Sequence, residues 1–131
     1  MRELSVSAVL VTYNRLALLK KSIQKILSQN TDKLKHLIII DGASTDGTRE
    51  YLDSMSDERL IIVHLPKNIG GAGGFNSGIR HFFEQTSDDF VWLMDDDSMP
   101  TADALTKLLD MFDNNKLAGW GASKVEWTDG N

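Results

Sequence analysis

The sequence predicts an α/β fold in which a mostly parallel sheet carries helices on both faces. Short apolar, β-branched segments alternate with segments whose apolar residues recur at helical spacing, which is typical of this fold class. Polar and acidic clusters follow the predicted strands, and ligands of such sheets bind at the carboxyl ends of the strands. We therefore expect a three-layer α/β/α arrangement in which residues 1–131 form a single domain.

The first part of the chain predicts two strands separated by an amphipathic helix. Residues 4–12 (LSVSAVLVT) are apolar and β-branched, as in a buried strand. Asn14 is expected to cap the following helix, in which leucine and isoleucine recur at helical spacing opposite a lysine-bearing face. A second apolar run, residues 37–40, ends at Asp41, and a short helix is predicted over residues 45–55.

The remaining elements repeat the same alternation. Residues 60–65 predict a third strand, which ends at Pro66 because proline cannot donate a hydrogen bond to a sheet. A glycine-dense loop is expected over residues 68–74, followed by a helix that runs to about Gln85. The last predicted elements are a strand at 90–94, a helix at 101–114 and a strand at 117–122.

Composition narrows the functional classes. A net charge of −5 argues against nucleic acid as a partner and against a general affinity for anionic membranes. The chain has no cysteine, which excludes a disulfide framework and a thiolate metal site. No apolar run approaches the roughly 20 residues of a membrane span. We expect a cytoplasmic protein without an integral membrane segment, either free or peripheral at the inner face of the membrane.

Three consecutive aspartates follow the fourth predicted strand, in the segment FVWLMDDDSMP (90–100). In an extended segment Asp95 and Asp97 lie on one side, where two carboxylates repel each other unless a cation or a proton lies between them. Mg²⁺ and Mn²⁺ prefer such oxygen ligands and share them with substrate phosphates. A helix cap formed by Asp97 or Ser98 is the alternative, and the segment alone leaves both interpretations open.

A further acidic position follows the second predicted strand. Asp41 precedes Gly42, which lets the chain turn sharply. The Asp41 carboxylate is suited to accept hydrogen bonds from a ribose or a base, and equally suited to cap the next helix. Residues 44–46 favour helix capping over chemistry. Three histidines show no ligand spacing and are interpreted as structural: His36, His64 and His81.

Five glycines are concentrated in the segment NIGGAGGFNSGI (68–79). A purely structural turn seldom needs so many, so we favour the close approach of a ligand. The segment follows the third strand, whereas a dinucleotide-binding fingerprint follows the first strand of its unit, and we discount that interpretation. After the first strand, Thr12, Tyr13 and Asn14 offer backbone groups and a ring on which a base can stack, although ordinary packing is the favoured role of Tyr13.

Taken in order, four segments resemble the nucleotide-binding half of a family 2 glycosyltransferase, which has the Rossmann-like GT-A fold. The segments are VTYNR (11–15), DGASTDGT (41–48), NIGGAGGFNSGI (68–79) and WLMDDDSMP (92–100). Each is modest alone, but their order and separation make the combination specific. The forms NIGGAGGF and DDDSMP are most similar to the branch of galactofuranosyltransferases and rhamnosyltransferases of bacterial surface polysaccharides.

The resemblance implies a role for each segment. Thr12 and Tyr13 hold the nucleobase, and Asp41 contacts the base or the ribose. Asp95 and Asp97 form the acidic metal-binding pair, with Asp97 as the direct metal ligand. The implied nucleotide-binding residues are Thr12, Tyr13, Asn14, Asp41, Asn68, Gly70, Gly71, Asn76, Asp95 and Asp96.

The implied activity is transfer of a sugar, with inversion, from a UDP- or dTDP-sugar donor to a glycan acceptor. Mg²⁺ or Mn²⁺ would neutralise the diphosphate as it leaves. Family members place the general base well beyond the metal motif, so we assign no base and expect the chain to be truncated at its C-terminal end, Asn131. The chain departs from many members at Phe75, where they carry a basic residue.

Two other interpretations remain open. A nucleotidyltransferase of similar fold also uses metal-held phosphates, but its glycine-rich basic loop follows the first strand, where this chain has no glycine at residues 12–16. A non-catalytic assembly module is the second alternative. Because a shortened sheet leaves an open edge that invites pairing between chains, the sequence also predicts a homodimer.

Overall fold

The computed structural model describes residues 3–114 and 119–122, in which four strands alternate with four helices. All four strands are parallel, and their order in the sheet is β3-β2-β1-β4. In chain order the elements are β1 (Val6–Thr12), α1 (Leu16–Leu27), β2 (Leu34–Asp41), α2 (Thr48–Asp53), β3 (Leu60–His64), α3 (Gly70–Gln85), β4 (Phe90–Asp95) and α4 (Ala104–Asn114).

Helices cover both faces of the sheet, which confirms the three-layer α/β/α prediction. One face packs against α1, α2 and α4, in a buried cluster that includes Leu10 of β1, Ile23 of α1 and Leu105 of α4. The opposite face packs against α3, where Val9 of β1 meets Phe82. Val9 and Leu10 are adjacent in sequence and point to opposite faces because side chains alternate along a strand.

The strand order brings the polar strand ends together. The chain runs from β1 outward to β3 and then returns on the other side of β1 to form β4. Thr12 is aligned with Asp41 in β2, and Val11 is aligned with Asp95 in β4. The carboxyl ends of the strands, which we call the rim, therefore include the reversal point between β1 and β4, where ligands of open α/β sheets bind.

The glycine-dense segment is helical, so the predicted loop is wrong beyond residue 69. Helix α3 begins at Gly70, and the later glycines lie directly against β1. A Cβ atom at Gly74 would lie 2.6 Å from the side chain of Val11, and one at Gly78 would lie 2.3 Å from Val9. These glycines allow α3 to approach the sheet more closely than any larger residue would permit.

The predicted cap of α1 by Asn14 is also wrong. No side-chain cap bond is made by the residue before the helix, and the backbone N–H of Leu16 donates to Asp46 Oδ2 at 3.0 Å. Asp46 also accepts from the backbone N–H of Thr48 at 3.2 Å, at the start of α2. One aspartate therefore serves two helix starts, and the capping role predicted for residues 44–46 is confirmed at Asp46.

The predicted fifth strand, at residues 117–122, is not found among the described residues. Residues 117 and 118 of the predicted fifth strand lie outside the described residues, and residues 119–122 belong to no strand. Among the residues that the structure describes, no helix has the length and apolar character that a membrane span needs. Strands β3 and β4 form the two edges of the described sheet, and dimerisation through an open edge stays a prediction.

Candidate functional site

A cavity of about 270 Å³ opens at the rim, between the ends of β1 and β2 and the start of α3. Six of the ten predicted nucleotide-binding residues line it, which brings the end of the first strand, the glycine-dense segment and Asp95 to one place. The lining residues are Val11, Thr12, Tyr13, Arg15, Ile40, Gly42, Leu65, Asn68, Gly70, Gly71, Gly74 and Asp95.

Asp95, which lines this cavity, is the first of three consecutive aspartates, and we call Asp95, Asp96 and Asp97 the aspartate cluster. One carboxylate oxygen from each lies within 4.8 Å of those of the other two, and Asp95 and Asp97 are exposed whereas Asp96 is buried. Helix α4 begins only at Ala104, so neither Asp97 nor Ser98 caps it. The alternative interpretation of this segment as a helix cap is therefore excluded.

Asp96 connects β4 to β1 through both of its carboxylate oxygens. The hydroxyl of Thr12 donates to Oδ2 at 3.0 Å, and the guanidinium of Arg15 donates to Oδ1 at 3.2 Å. Burial raises the pKa of the Asp96 carboxyl, against the hydrogen bond from Thr12 and the charge of Arg15. The Ser22 hydroxyl of α1 lies 2.7 Å from the Asp96 carbonyl oxygen, which fixes the loop after β4 to the helix layer.

Arg15 is a charged cavity residue to which the sequence interpretation gave no role. Among the described residues that line the cavity, it is the only one with a positive charge. Its side chain is 52% exposed, although one guanidinium nitrogen contacts the buried Asp96. Its position at the end of the VTYNR segment was a signal, but only the strand order shows that it faces the aspartates.

Asp41 is buried at the end of β2 and does not line the cavity, although Gly42 does. The backbone N–H of Ser44 donates to its Oδ1 at 3.0 Å, and His64 Nδ1 lies 2.9 Å from its Oδ2. The other ring nitrogen of His64 lies 2.7 Å from Asp53 Oδ1 on α2. His64 thus bridges two carboxylates, a contact that connects β2, β3 and α2.

The charge on His64 follows from these two contacts. Because ionised carboxylates only accept hydrogen bonds, both contacts are hydrogen bonds when the ring is the doubly protonated imidazolium. Burial works against the charged ring, but the hydrogen bonds to Asp53 and Asp41 outweigh it and raise the pKa of His64. The structural role predicted for this histidine is therefore specific, because it neutralises a buried aspartate.

Of three further predicted nucleotide-binding residues, Tyr13 lines the cavity, whereas Asn14 and Asn76 do not. Tyr13 is 46% exposed at the cavity, so its ring is not packed in the core. Asn14 lies outside the cavity lining and ties two loops together, because its Oδ1 accepts from the backbone N–H of Thr45 at 2.7 Å. Asn76 is exposed on α3, where it accepts a hydrogen bond from Arg80 at 3.2 Å.

The parallel sheet, the covering helices and the acidic rim define a GT-A-type α/β domain. The family model for glycosyl transferase family 2 matches residues 7–129 of the chain. The chain belongs to glycosyl transferase family 2, as the resemblance of the four segments indicated.

Relatives with assigned names support this membership. The chain is 34% identical over 114 residues to galactofuranosyltransferase GlfT1 of Mycolicibacterium smegmatis, which covers 86% of this chain and 37% of the relative. It is 31% identical over 107 residues to TuaG of Bacillus subtilis, a putative teichuronic acid biosynthesis glycosyltransferase, which covers 80% of this chain and 40% of that protein. The chain therefore spans well under half the length of these relatives.

Solved structures share the fold. A mannosyltransferase from Pyrobaculum calidifontis, in complex with GDP-Man and Mn²⁺, superposes with a TM-score of 0.68 and 28% identity, covering 82% of this chain and 32% of that one. S. aureus TarS 1-349 in complex with UDP-GlcNAc has a TM-score of 0.74 and 19% identity, covering 92% of this chain and 37% of that one. The second likeness concerns the fold alone.

Proposed function

We propose that the chain is the donor-binding portion of an inverting, metal-dependent glycosyltransferase that uses a UDP- or dTDP-sugar. The observation that carries the proposal is the aspartate cluster, whose oxygens lie within 4.8 Å of one another beside a cavity at the rim. Uncompensated carboxylates at this spacing favour a hard divalent cation, and such cations commonly complete their coordination with substrate phosphates. The site therefore suits a nucleoside diphosphate sugar.

The two exposed aspartates are the residues that would hold Mg²⁺ or Mn²⁺. Both oxygens of Asp96 are hydrogen bonded within the protein, whereas Asp95 and Asp97 are exposed. Asp95 also lines the cavity, so a cation there would lie beside the bound nucleotide. When bound, the cation would supply positive charge to the diphosphate leaving group. The presence of Mn²⁺ in the complex of the mannosyltransferase with GDP-Man supports the proposed metal dependence.

The remaining cavity residues are proposed to bind the nucleoside. The half-exposed ring of Tyr13 offers a face on which a base can stack, and Thr12 and Asn68 lie beside it in the cavity lining. Asp41 is proposed to contact the base or the ribose with a lone pair that its present hydrogen bonds leave unused. Because Asp41 is buried, this contact requires movement of the loop at residues 42–47.

The chemistry follows from the position of the donor. A hydroxyl of a glycan acceptor attacks the anomeric carbon from the face opposite the diphosphate, so the configuration inverts. The proton of that hydroxyl passes to a base that we assign to none of the described residues. The teichuronic acid relative supports a role in cell-surface polysaccharide synthesis, which we place in the cytoplasm or at the inner face of the membrane.

Calorimetric titration tests the proposal directly. UDP, dTDP and, for comparison, GDP are titrated into the chain with Mn²⁺ and then with excess EDTA. We expect binding of UDP or dTDP that depends on the metal and weakens at least tenfold in Asp97→Asn, since even indirect metal-site changes cost about 10- to 100-fold.

The matched control is Asp110→Asn, which removes an exposed carboxylate from α4. This variant should bind the nucleotide as the unaltered chain does. Binding that is indifferent both to the metal and to Asp97→Asn contradicts the proposal. Preference for a nucleoside triphosphate over the diphosphate would favour the nucleotidyltransferase instead.

A further inference from the structure

The protein groups in and beside the cavity carry more negative than positive charge, which disfavours binding of the anionic ligand that we propose. Asp95 lines the cavity, the carboxylates of Asp96 and Asp97 lie within 4.8 Å of its own, and a nucleoside diphosphate would bring further negative charge to the same place. A divalent cation compensates only part of this charge. A second source of positive charge within reach of the diphosphate would lower the electrostatic cost of binding.

Arg15 is placed to supply that charge. It lies three residues after the end of β1, and it lines the cavity together with Asp95 and Gly71. The contact of its Nη1 with Asp96 Oδ1, at 3.2 Å, fixes the guanidinium at the reversal point between β1 and β4. A guanidinium has five N–H donors in a planar fork, and this contact uses one of them.

Two observations favour a ligand-binding role over simple neutralisation of Asp96. The Arg15 side chain is 52% exposed, whereas that of Asp96 is 3% exposed, so about half of the Arg15 side chain remains accessible beside the ion pair. In addition, Thr12 already donates to the second oxygen of Asp96 at 3.0 Å, which leaves that carboxylate with a partner besides Arg15.

The glycine-dense segment offers no alternative cation at the cavity. The position before Asn76 is Phe75, which is uncharged, packs against the buried cluster of Val9 and Ile38 and does not line the cavity. The charged residue of α3 nearest in sequence is Arg80, which contacts Asn76 and does not line the cavity. Arg15 is therefore the cation that the described part of the cavity supplies.

We propose that Arg15 binds the diphosphate group of the nucleotide through the guanidinium N–H groups that Asp96 leaves free. In this arrangement one N–H group of the guanidinium donates to the buried Asp96, and other N–H groups donate to the diphosphate leaving group. Guanidinium groups match phosphate oxygens in geometry and form short charge-assisted hydrogen bonds with them. This inference rests on the proposed function, because it takes a nucleoside diphosphate as the ligand of the cavity.

The test compares a ligand that carries the diphosphate with one that lacks it. UDP and uridine are titrated separately into the chain in the presence of Mg²⁺, and binding is followed by backbone amide NMR shifts. We expect Arg15→Gln to raise the Kd for UDP about tenfold or more and to leave the Kd for uridine unchanged. Arg15→Lys, which keeps a positive charge beside Asp96, should lose less affinity for UDP than Arg15→Gln does.

Arg49→Gln is the control for a general loss of positive charge, because Arg49 is exposed on α2 and does not line the cavity. It should leave both affinities unchanged. The inference is overturned if Arg15→Gln and Arg15→Lys leave UDP binding intact, or if they weaken UDP and uridine by the same factor. Failure of the unaltered chain to bind UDP with Mg²⁺ would instead overturn the proposed function, and this inference with it.

Discussion

Two groups of aspartates differ in how far the protein neutralises their negative charge. In the bridged pair, Asp41 and Asp53 share the imidazolium of His64, and both ring nitrogens lie within 2.9 Å of a carboxylate oxygen. In the aspartate cluster, three carboxylate oxygens lie within 4.8 Å of one another, and the one described cationic partner, Arg15, contacts the buried Asp96. The exposed members, Asp95 and Asp97, have no such partner in the described residues.

The difference separates carboxylates that the protein itself neutralises from carboxylates that have no cationic partner in the described residues. A buried charge is tolerated when the protein itself supplies a partner, and Asp41 meets that condition through His64. Exposed carboxylates that crowd together remain unfavourable until a cation binds between them. The bridged pair should therefore matter for stability without ligands, whereas Asp95 and Asp97 should matter mainly when a cation is present.

The largest expected effect comes from removing the bridge. His64→Leu leaves the buried Asp41 without a cation, and breaking a buried ion pair in this way costs about 3 kcal/mol. We expect the free energy of unfolding at pH 6, measured by urea denaturation, to fall by about that amount. His81→Gln is the control, since His81 contacts only the carbonyl oxygen of Ser77, at 2.8 Å, among the described contacts. Equal losses of unfolding free energy in His64→Leu and His81→Gln would contradict a specific stabilising role for the bridge.

The two groups also differ in how far the sequence could predict them. The aspartate cluster is contiguous, so its spacing at a strand end made it a candidate metal site in the sequence, with a helix cap as the alternative. The bridged pair joins residues from β2, β3 and α2, and only the register that aligns Asp41 with His64 brings them together. Because His64 has no ligand spacing in the sequence, the sequence predicted only a structural role for it and not its ion pair with the buried Asp41.

The fold was predictable because its signals are local. Apolar β-branched runs and helical periodicity located all four described strands and helices, and their alternation predicted a mostly parallel sheet. The glycine-dense segment was misjudged because helix propensity opposes a helix start at Gly70, and the closeness of α3 to β1 overrides it. Nothing local in the sequence distinguishes Gly71, which faces the cavity, from Gly78, which faces Val9.

The next largest effect is expected from glycine substitutions in α3, which compare the part of the helix packed against β1 with its exposed first turn. Gly78→Ala places a Cβ atom 2.3 Å from Val9 Cγ1, and overpacking of this kind costs about 1–3 kcal/mol. Gly71→Ala meets nothing within 4 Å and should be neutral or stabilising by up to about 1 kcal/mol. Urea denaturation of the two variants measures both values, and a loss in Gly71→Ala equal to that in Gly78→Ala would contradict the assignment.

The pH dependence of stability sharpens the comparison through His64. Its pKa is raised in the folded chain, so its contribution is fully present below the unfolded value of about 6.5 and is lost as the pH rises through the folded pKa. We expect the free energy of unfolding of the unaltered chain to decrease over that interval relative to His64→Gln. Both proteins are measured by urea denaturation from pH 6 to alkaline pH. Parallel curves of the free energy of unfolding against pH would contradict a stabilising role for the His64 imidazolium.

The smallest effect belongs to the exposed members of the aspartate cluster. Without a cation, Asp95→Asn combined with Asp97→Asn relieves repulsion between exposed carboxylates and should change stability by no more than about 0.5 kcal/mol. Mg²⁺ should raise the melting temperature of the unaltered chain, because a ligand that binds only the folded state stabilises it, and should leave the double variant unchanged. The same gain in both proteins would mean that Mg²⁺ binds elsewhere, and the aspartate cluster would then resemble the bridged pair in needing no cation from solution.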